Sequence, residues 1–146
     1  MSISKISQNH KNRKAHNWLA YEINDVFLLQ SRHLCRGVLY DLGAGDSPYK
    51  NFFLRYASGY VAVDWASSIH DTGPDIVADL NLEFPIETAS ADTVVALSVL
   101  EHLVEPQRFL SESCRILKSD GSLLLQVPWQ WRLHEEPHDY FRFTPF

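Results

Sequence analysis

The sequence has few of the residues that mark several large classes of protein. It contains only two cysteines, Cys35 and Cys114, in 146 residues, which is too few for the disulfide framework of a small secreted domain. Its longest apolar stretches, such as residues 123–125, are far shorter than the about 20 residues that a transmembrane helix needs. The polar start of the chain has no signal-peptide core. We therefore expect a cytoplasmic protein that does not bind membranes.

Basic residues are also scarce, since 13 Lys and Arg stand against 18 Asp and Glu and the formal net charge is −5. This balance disfavours nucleic acid as a partner. The basic residues Lys11, Arg13 and Lys14 are interpreted as part of a flexible polar tail at residues 1–16. Because 45% of the residues are hydrophobic, the remainder, residues 17–146, can bury one core and is predicted to be a single domain.

Apolar runs alternate with helical patterns along this domain. The runs at 38–42, 60–63, 76–78, 93–97 and 122–127 are rich in Val and Leu and do not alternate strictly with polar residues. Such strands are typical of a parallel sheet that is buried on both faces. Helices are predicted at about 17–34, 48–56 and 106–117, and residues 118–121 are expected to end the third helix before the last strand. The first helix should cover one face of the sheet with Trp18, Tyr21, Val26 and Leu29.

A glycine turn follows the first strand and is the most informative feature of the chain. Gly43 and Gly45 allow a tight turn and a close approach to a ligand, and Pro48 suits the first turn of a helix. Asp64 ends the second strand, about 20 residues after the glycines, where doubly wound folds bind ribose hydroxyls. The pattern predicts a nucleotide-like cofactor at this turn.

The turn departs from the dinucleotide pattern at two positions. The third glycine of G-x-G-x-x-G is replaced by Pro48, and Asp41 adds a carboxylate just before the turn. An extra anion disfavours a pyrophosphate, and with it a nicotinamide cofactor. It favours a ligand that carries an ammonium and a sulfonium.

From about Gly37 to its end, the chain resembles the class I S-adenosylmethionine-dependent methyltransferases, in particular the small-molecule branch called type 11. Residues 41–45 resemble the first motif of that family and residues 61–64 its second-strand acid. Residues 75–80 are similar to the segment near the adenine, and residues 92–103 to the fourth strand with its Leu-Glu-His turn. The resemblance implies a Rossmann-like, doubly wound, mostly parallel sheet of order 3-2-1-4-5 with helices on both faces.

The resemblance also implies a site for S-adenosyl-L-methionine. Asp41 and the glycine backbone would lie against the methionine part, Asp64 would accept from the ribose hydroxyls, and Asp79 with Leu80 would flank the adenine. The cofactor-binding residues implied in this way are Asp41, Gly43, Gly45, Asp64, Asp79, Leu80 and Ser98. The alternative interpretation is that the acids only end strands or shape loops.

Histidines and aromatic residues near the C-terminus are candidates for the acceptor side. His102, His134 and His138 are the candidate catalytic bases. The resemblance implies that residues 134–144 border the acceptor pocket, with Trp129, Trp131 and Tyr140 as substrate-binding residues. The alternatives are a histidine that only caps a turn and aromatic residues that form a local core.

Residues 134–138 also match the zinc-protease pattern H-E-x-x-H. We reject that interpretation because Pro137 would break the continuous helix on which both ligands must lie. No metal cofactor is therefore predicted. A looser cluster of His134, His138 and Asp139 is the alternative.

Members of the family that this chain resembles continue beyond the fifth strand with two more strands, and we expect this domain to lack these usual last two strands. The predicted function is S-adenosylmethionine-dependent methyl transfer to a small-molecule acceptor such as a sugar or polysaccharide precursor. The alternative is a non-catalytic cofactor-binding or interaction module. An apolar fifth strand at the sheet edge would recruit another chain, which favours a homodimer through strand five. The alternatives are that residues 129–146 fold back over this strand or that residues outside this chain cover it.

Overall fold

Helices and strands alternate along the part of the chain that the structure describes. This structure is a computed structural model, and it describes residues 6–7, 10–11, 13–65, 73–128 and 131–144. The elements are α1 (Trp18–Ser31), a 3-10 turn (Arg32–Leu34), β1 (Val38–Leu42), α2 (Lys50–Phe53), β2 (Gly59–Asp64), β3 (Ile76–Val77), β4 (Ala91–Leu97), a second 3-10 turn (Leu100–His102), α3 (Pro106–Ile116) and β5 (Leu117–Gln126).

The strands form one five-stranded sheet of order β3-β2-β1-β4-β5. All four pairings are parallel, which confirms the predicted fold class and strand order. From β1 the chain continues to β2 and β3 on one side, whereas β4 and β5 lie on the other side of β1. The order of the strands therefore reverses between β1 and β4. Ligands of open α/β sheets bind in the crevice at such a point.

Both faces of the sheet are covered, as the continuous apolar runs predicted. On one face, Leu39 and Leu124 are buried together with Leu28 of α1 and with Phe53 of α2. On the opposite face, the buried residues include Leu42, Val94 and Ala96 of the sheet and Phe109 and Ile116 of α3. Burial of apolar area at about 25 cal/mol per Å² on two faces is the main stabilising term of such a fold.

The predicted helix at 48–56 is shorter in the structure. α2 comprises only Lys50–Phe53, with Tyr49 as its N-cap, so that Pro48 lies before the helix rather than in its first turn. Phe52 and Phe53 are both buried. The packing of these two rings, and not helix length, therefore holds the segment in place.

The prediction that residues 118–121 end a helix was wrong. β5 begins at Leu117, directly after α3, and Leu117 pairs with Ala91 ahead of an irregularity in the register. The Lys118 ammonium lies 2.8 Å from the Asp92 carboxylate. A Cβ at Gly121 would come within 2.8 Å of the Leu117 side chain. Gly121 is thus required by the close packing of this irregular strand pairing, not by a helix stop.

The buried face of α1 agrees only in part with the prediction. Tyr21 and Leu29 pack against the core as predicted, but Trp18 is 52% exposed and the buried residues are Asp25 and Leu28. Asp25 accepts hydrogen bonds from the backbone amide of Ser7 and from Arg13. Residues expected in a flexible tail therefore contact α1, because they neutralise a buried carboxylate.

No helix within the described ranges is long and apolar enough to cross a membrane. In the order of strands, β5 lies at one edge of the sheet. The pairing of β5 with a second copy stays a prediction.

Candidate active site

The glycine turn lies at the carboxyl end of β1, as predicted. Gly43 and Gly45 have φ values of 75° and 51°, in the left-handed region that favours glycine. The Gly43 amide donates to the Val63 carbonyl over 2.8 Å. A Cβ at Gly43 would lie 2.5 Å from a methyl group of Val99. Position 43 therefore admits only glycine without a shift of the neighbouring backbone or of Val99.

Asp64 at the end of β2 joins the second strand to this turn. One carboxylate oxygen accepts from the Gly45 amide over 2.7 Å, and the other accepts from the Trp65 amide over 2.8 Å. An ionised carboxylate has about four acceptor positions. Asp64 can therefore shape the turn and still accept hydrogen bonds from two hydroxyls, so that the structural and the cofactor-binding interpretations are compatible.

Asp41 is buried beneath the turn and is paired with a residue that the sequence analysis did not identify. The Tyr60 hydroxyl donates to its carboxylate over 2.6 Å. Burial raises the pKa of Asp41 to about 6, with the Tyr60 hydrogen bond opposing the rise and the charge of Asp64 adding to it. The parallel pairing of β1 and β2 places both side chains on one sheet face, a relation that needs the register to be known.

Three other predicted cofactor residues lie in the loops around this crevice. Asp79 is exposed and accepts from the backbone and side-chain amides of Asn81. Leu80 is buried in the core beside α3. Ser98 has a φ of 58° just after β4, and its hydroxyl donates to the side-chain oxygen of Gln126 over 3.1 Å. Their contacts show how each loop is held, and their roles toward a cofactor stay predictions.

A second group of side chains forms where the C-terminal segment returns to the turn after β4. The Tyr140 amide donates to the Glu101 carbonyl over 2.8 Å. His102 Nδ1 lies 2.7 Å from the His138 carbonyl, and the rings of His102 and His134 are in edge contact at 4.8 Å. The structure therefore brings the three predicted histidines into one region, although the C-terminal segment lies far from His102 in the sequence.

His138 is the histidine that lies next to the end of β2, where Asp64 holds the glycine turn. Its ring contacts the Trp65 ring edge-on at 5.2 Å, and Trp65 directly follows Asp64. His138 Nδ1 lies 3.1 Å from the hydroxyl of the exposed Tyr140. Trp131 is partly buried, and its carbonyl accepts from Arg142. Trp129 lies outside the described residues.

Glu101 is the main residue of this region to which the sequence analysis gave no role. Its side chain is fully buried, and neither carboxylate oxygen accepts a hydrogen bond from another residue in the described ranges. Burial raises the pKa of Glu101 to about 7, while its own backbone amide and the nearby His102 oppose that rise. Its position within Leu-Glu-His was visible in the sequence, but its burial was not.

An ion pair anchors the returning segment. Asp139 accepts from both terminal guanidinium nitrogens of Arg142, Nη1 and Nη2, the latter over 2.7 Å, and from the backbone amide of His134 over 2.9 Å. The hydrogen bonds from Arg142 hold the pKa of Asp139 well below its ordinary value. The alternative metal set of His134, His138 and Asp139 is not the one that the geometry assembles, since His134 lies instead with Glu101 and His102.

Sheet order, glycine turn and second-strand acid together define a Rossmann-like domain of the nucleotide-cofactor-binding class. A family model described as a methyltransferase domain (Methyltransf_11) matches residues 40–125. The chain belongs to this methyltransferase domain family. The match confirms the resemblance found in the sequence.

Known proteins agree with this assignment. Over 106 residues, the chain is 32% identical to a protein of Mycobacterium tuberculosis (strain ATCC 25618 / H37Rv) named as an S-adenosylmethionine-dependent methyltransferase. That alignment covers 68% of this chain and 38% of the relative, so the chain matches well under half of the relative's length.

Solved structures share the fold. A SAM-dependent methyltransferase from Aquifex aeolicus superposes with a TM-score of 0.59 and 17% identity, over 94% of this chain and 79% of that one. The trans-methyltransferase CalH in complex with SAH superposes with a TM-score of 0.54 and 19% identity, over 74% of this chain and 37% of that one. These names refer to S-adenosylmethionine and S-adenosylhomocysteine, which confirms the predicted cofactor class.

Proposed function

We propose that this chain binds S-adenosylmethionine at the glycine turn and transfers its methyl group to a hydroxyl of a small-molecule acceptor of the sugar or polysaccharide-precursor class. The observation that carries the proposal is the bond between Asp64 and Gly45 at the point where the sheet order reverses. It holds an acid with spare acceptor positions next to a turn that admits a close ligand approach.

The side chains at this turn suit the chemistry of that cofactor. Asp64 supplies acceptors for two ribose hydroxyls, and Asp41 supplies a buried anion for the ammonium or sulfonium group. A cation at this place would counter the burial that raises the pKa of Asp41 to about 6. When bound, the cofactor supplies a methyl group that its sulfonium already activates.

The remaining task of the protein is to orient the acceptor and to receive its proton. We assign the proton to His138, because its ring contacts Trp65, the neighbour of Asp64, whereas His102 and His134 face each other and Glu101. When the acceptor oxygen bonds to the methyl carbon, the bond from that carbon to the sulfonium sulfur would break, S-adenosylhomocysteine would leave as a neutral thioether, and the hydroxyl proton would pass to the imidazole of His138. The Tyr140 hydroxyl lies 3.1 Å from His138 Nδ1, and this polar group, together with the aromatic ring of Trp131 in the same segment, would suit a small polar molecule.

Calorimetric titration with S-adenosylhomocysteine tests the cofactor site. Asp64→Asn keeps the size of the side chain and one acceptor oxygen but removes the charge. Charge-assisted hydrogen bonds contribute roughly 1.5–3 kcal/mol each, so we expect affinity to fall about tenfold or more. Asp120→Asn is the matched control. Asp120 is an exposed residue of β5 that pairs with Arg36, and β4 separates β5 from β1.

Equal affinity for the wild-type and a folded Asp64→Asn protein would contradict the assignment. A parallel titration with NAD is expected to show no binding. Cofactor binding without methyl transfer to any acceptor of a sugar panel would favour the non-catalytic alternative.

A further inference from the structure

The cluster formed by Glu101, His102 and His134 has features that methyl transfer does not require. Each residue offers one ligand atom, and these three atoms lie within 4.8 Å of one another. Glu101 is completely buried, and no hydrogen bond from another residue in the described ranges satisfies its carboxylate oxygens. Both carboxylate oxygens are therefore available as ligands, and a bound cation would offset the cost of burying the ionised carboxylate.

The hydrogen bonds around the two imidazoles determine which nitrogens carry protons. His102 Nδ1 lies 2.7 Å from the carbonyl of His138, an acceptor only, so Nδ1 carries a proton and Nε2 is the nitrogen that has the lone pair in the neutral imidazole. His134 Nδ1 lies 3.2 Å from the carbonyl of Arg132 and 3.2 Å from the Asp139 carboxylate, which fixes the same tautomer.

This arrangement is the one that metal sites use to orient histidine ligands. A ligating histidine donates its other N–H to a backbone carbonyl or a carboxylate, and that partner raises the basicity of the ring. His102 has a carbonyl in this position and His134 has a carbonyl and Asp139, which is itself held by Arg142. His102 Nε2 already lies 3.8 Å from a Glu101 oxygen.

We propose that Glu101, His102 and His134 bind one Zn²⁺ ion, with the fourth position open to water or to an acceptor oxygen. Two imidazoles and one carboxylate with an open position are a common donor set for zinc, whereas Mg²⁺ prefers oxygen ligands. Ligands at about 2.0 Å from a tetrahedral zinc lie about 3.3 Å apart, so the widest pair of ligand atoms would close by about 1.5 Å on binding. The proposal departs from the prediction that the protein has no metal cofactor.

Zinc would tie the C-terminal segment to the turn after β4. It takes the lone pairs of His102 and His134, which leaves His138 as the base. The idea that the zinc ion orients the acceptor oxygen rests on the proposed function. Zinc binding itself does not, because it can be measured without cofactor or acceptor.

The test is calorimetric titration of the metal-free, untagged chain with ZnCl₂. We expect one Zn²⁺ per chain, and a loss of affinity of more than about 100-fold in Glu101→Gln and in His134→Ala. Asp139→Asn, which removes a positioning contact rather than a ligand, is expected to lose about 10–100-fold. His33→Ala is the matched control, since His33 is an exposed histidine on the first 3-10 turn.

Zinc bound equally by the wild type and both ligand variants would overturn the proposal, as would no zinc uptake or a preference for MgCl₂. If Glu101→Gln does not fold, His134→Ala decides, because His134 lies in the returning segment and is partly exposed. Asp64→Asn is expected to bind zinc normally. Loss of S-adenosylhomocysteine binding and loss of zinc binding are therefore separate outcomes.

Discussion

The glycine turn and the histidine cluster lie at the same edge of the sheet but are built in different ways. The turn is held by backbone amides at the ends of two adjacent strands, with Gly45 and Trp65 both donating to Asp64. The histidine cluster is held by contacts between the turn after β4 and residues 131–144, such as the one from His102 to His138. The first region has its carboxylate satisfied by the protein, whereas the second leaves Glu101 without such partners.

The difference indicates a division of tasks between the two regions. A site built from local backbone geometry is rigid and suits a constant ligand such as a cofactor. A site closed by a returning segment depends on that segment's ion pairs, and loops of this kind are where related proteins vary in what they bind.

The largest expected effect is on turnover in the histidine region. His138→Ala should lower the rate at which S-adenosylmethionine and a sugar panel yield S-adenosylhomocysteine by about 10²–10⁴-fold, because general bases contribute about that much. The dissociation constant for S-adenosylhomocysteine should stay unchanged, since His138 belongs to the other region. His33→Ala is the control. A weaker affinity for S-adenosylhomocysteine in His138→Ala would contradict the division of tasks between the two regions.

A smaller effect concerns the pH dependence of stability at the cofactor side. The folded-state pKa of Asp41 is about 6, above its ordinary value of 3.8. The buried carboxylate is protonated at low pH, and its desolvation cost appears as the pH rises through about 6. Asp41→Asn should therefore stabilise the protein by up to about 3 kcal/mol above pH 7, with the gain fading toward pH 4.

Urea unfolding at pH 5 and pH 8 measures this effect. Asp120→Asn is the control, because Arg36 lowers the pKa of Asp120 and no gain at high pH follows from its removal. The Tyr60 hydroxyl can still donate to the asparagine amide oxygen, so the packing of β1 on β2 is preserved. A gain that is equal at both pH values would show that Asp41 is not held near its pKa by burial.

The smallest predicted effect is on the turn itself. Gly43→Ala adds a methyl group 2.5 Å from the Val99 side chain at a φ of 75°, which should cost about 1–3 kcal/mol of unfolding free energy. Gly59→Ala, where a Cβ meets nothing within 4 Å, should be neutral or slightly stabilising. Thermal unfolding compares the two variants. A Gly43→Ala protein as stable as the Gly59→Ala control would mean that the turn is less tightly packed than its geometry indicates.

Patterns in the sequence were sufficient for the sheet and the glycine turn. Apolar runs predicted the parallel strands, and the glycines with Asp64 predicted the turn from their spacing, although the hydrogen bond from Gly45 to Asp64 joins residues 19 apart. The same reasoning misjudged the start of β5 and part of the buried face of α1, where pairing with β4 and the contacts of Ser7 and Arg13 with Asp25 outweigh local preference.

The histidine cluster depended on the tertiary structure. His102 and His134 could be named as candidates from residue type alone, but their contact with each other and with a buried Glu101 arises only when residues 131–144 return to the turn after β4. Burial and hydrogen-bond satisfaction are properties of the packed chain, and no periodicity in the sequence encodes them. The family, the sheet and the glycine turn could therefore be inferred from residue patterns, whereas the side chains of the candidate metal site could be identified only after the chain is folded.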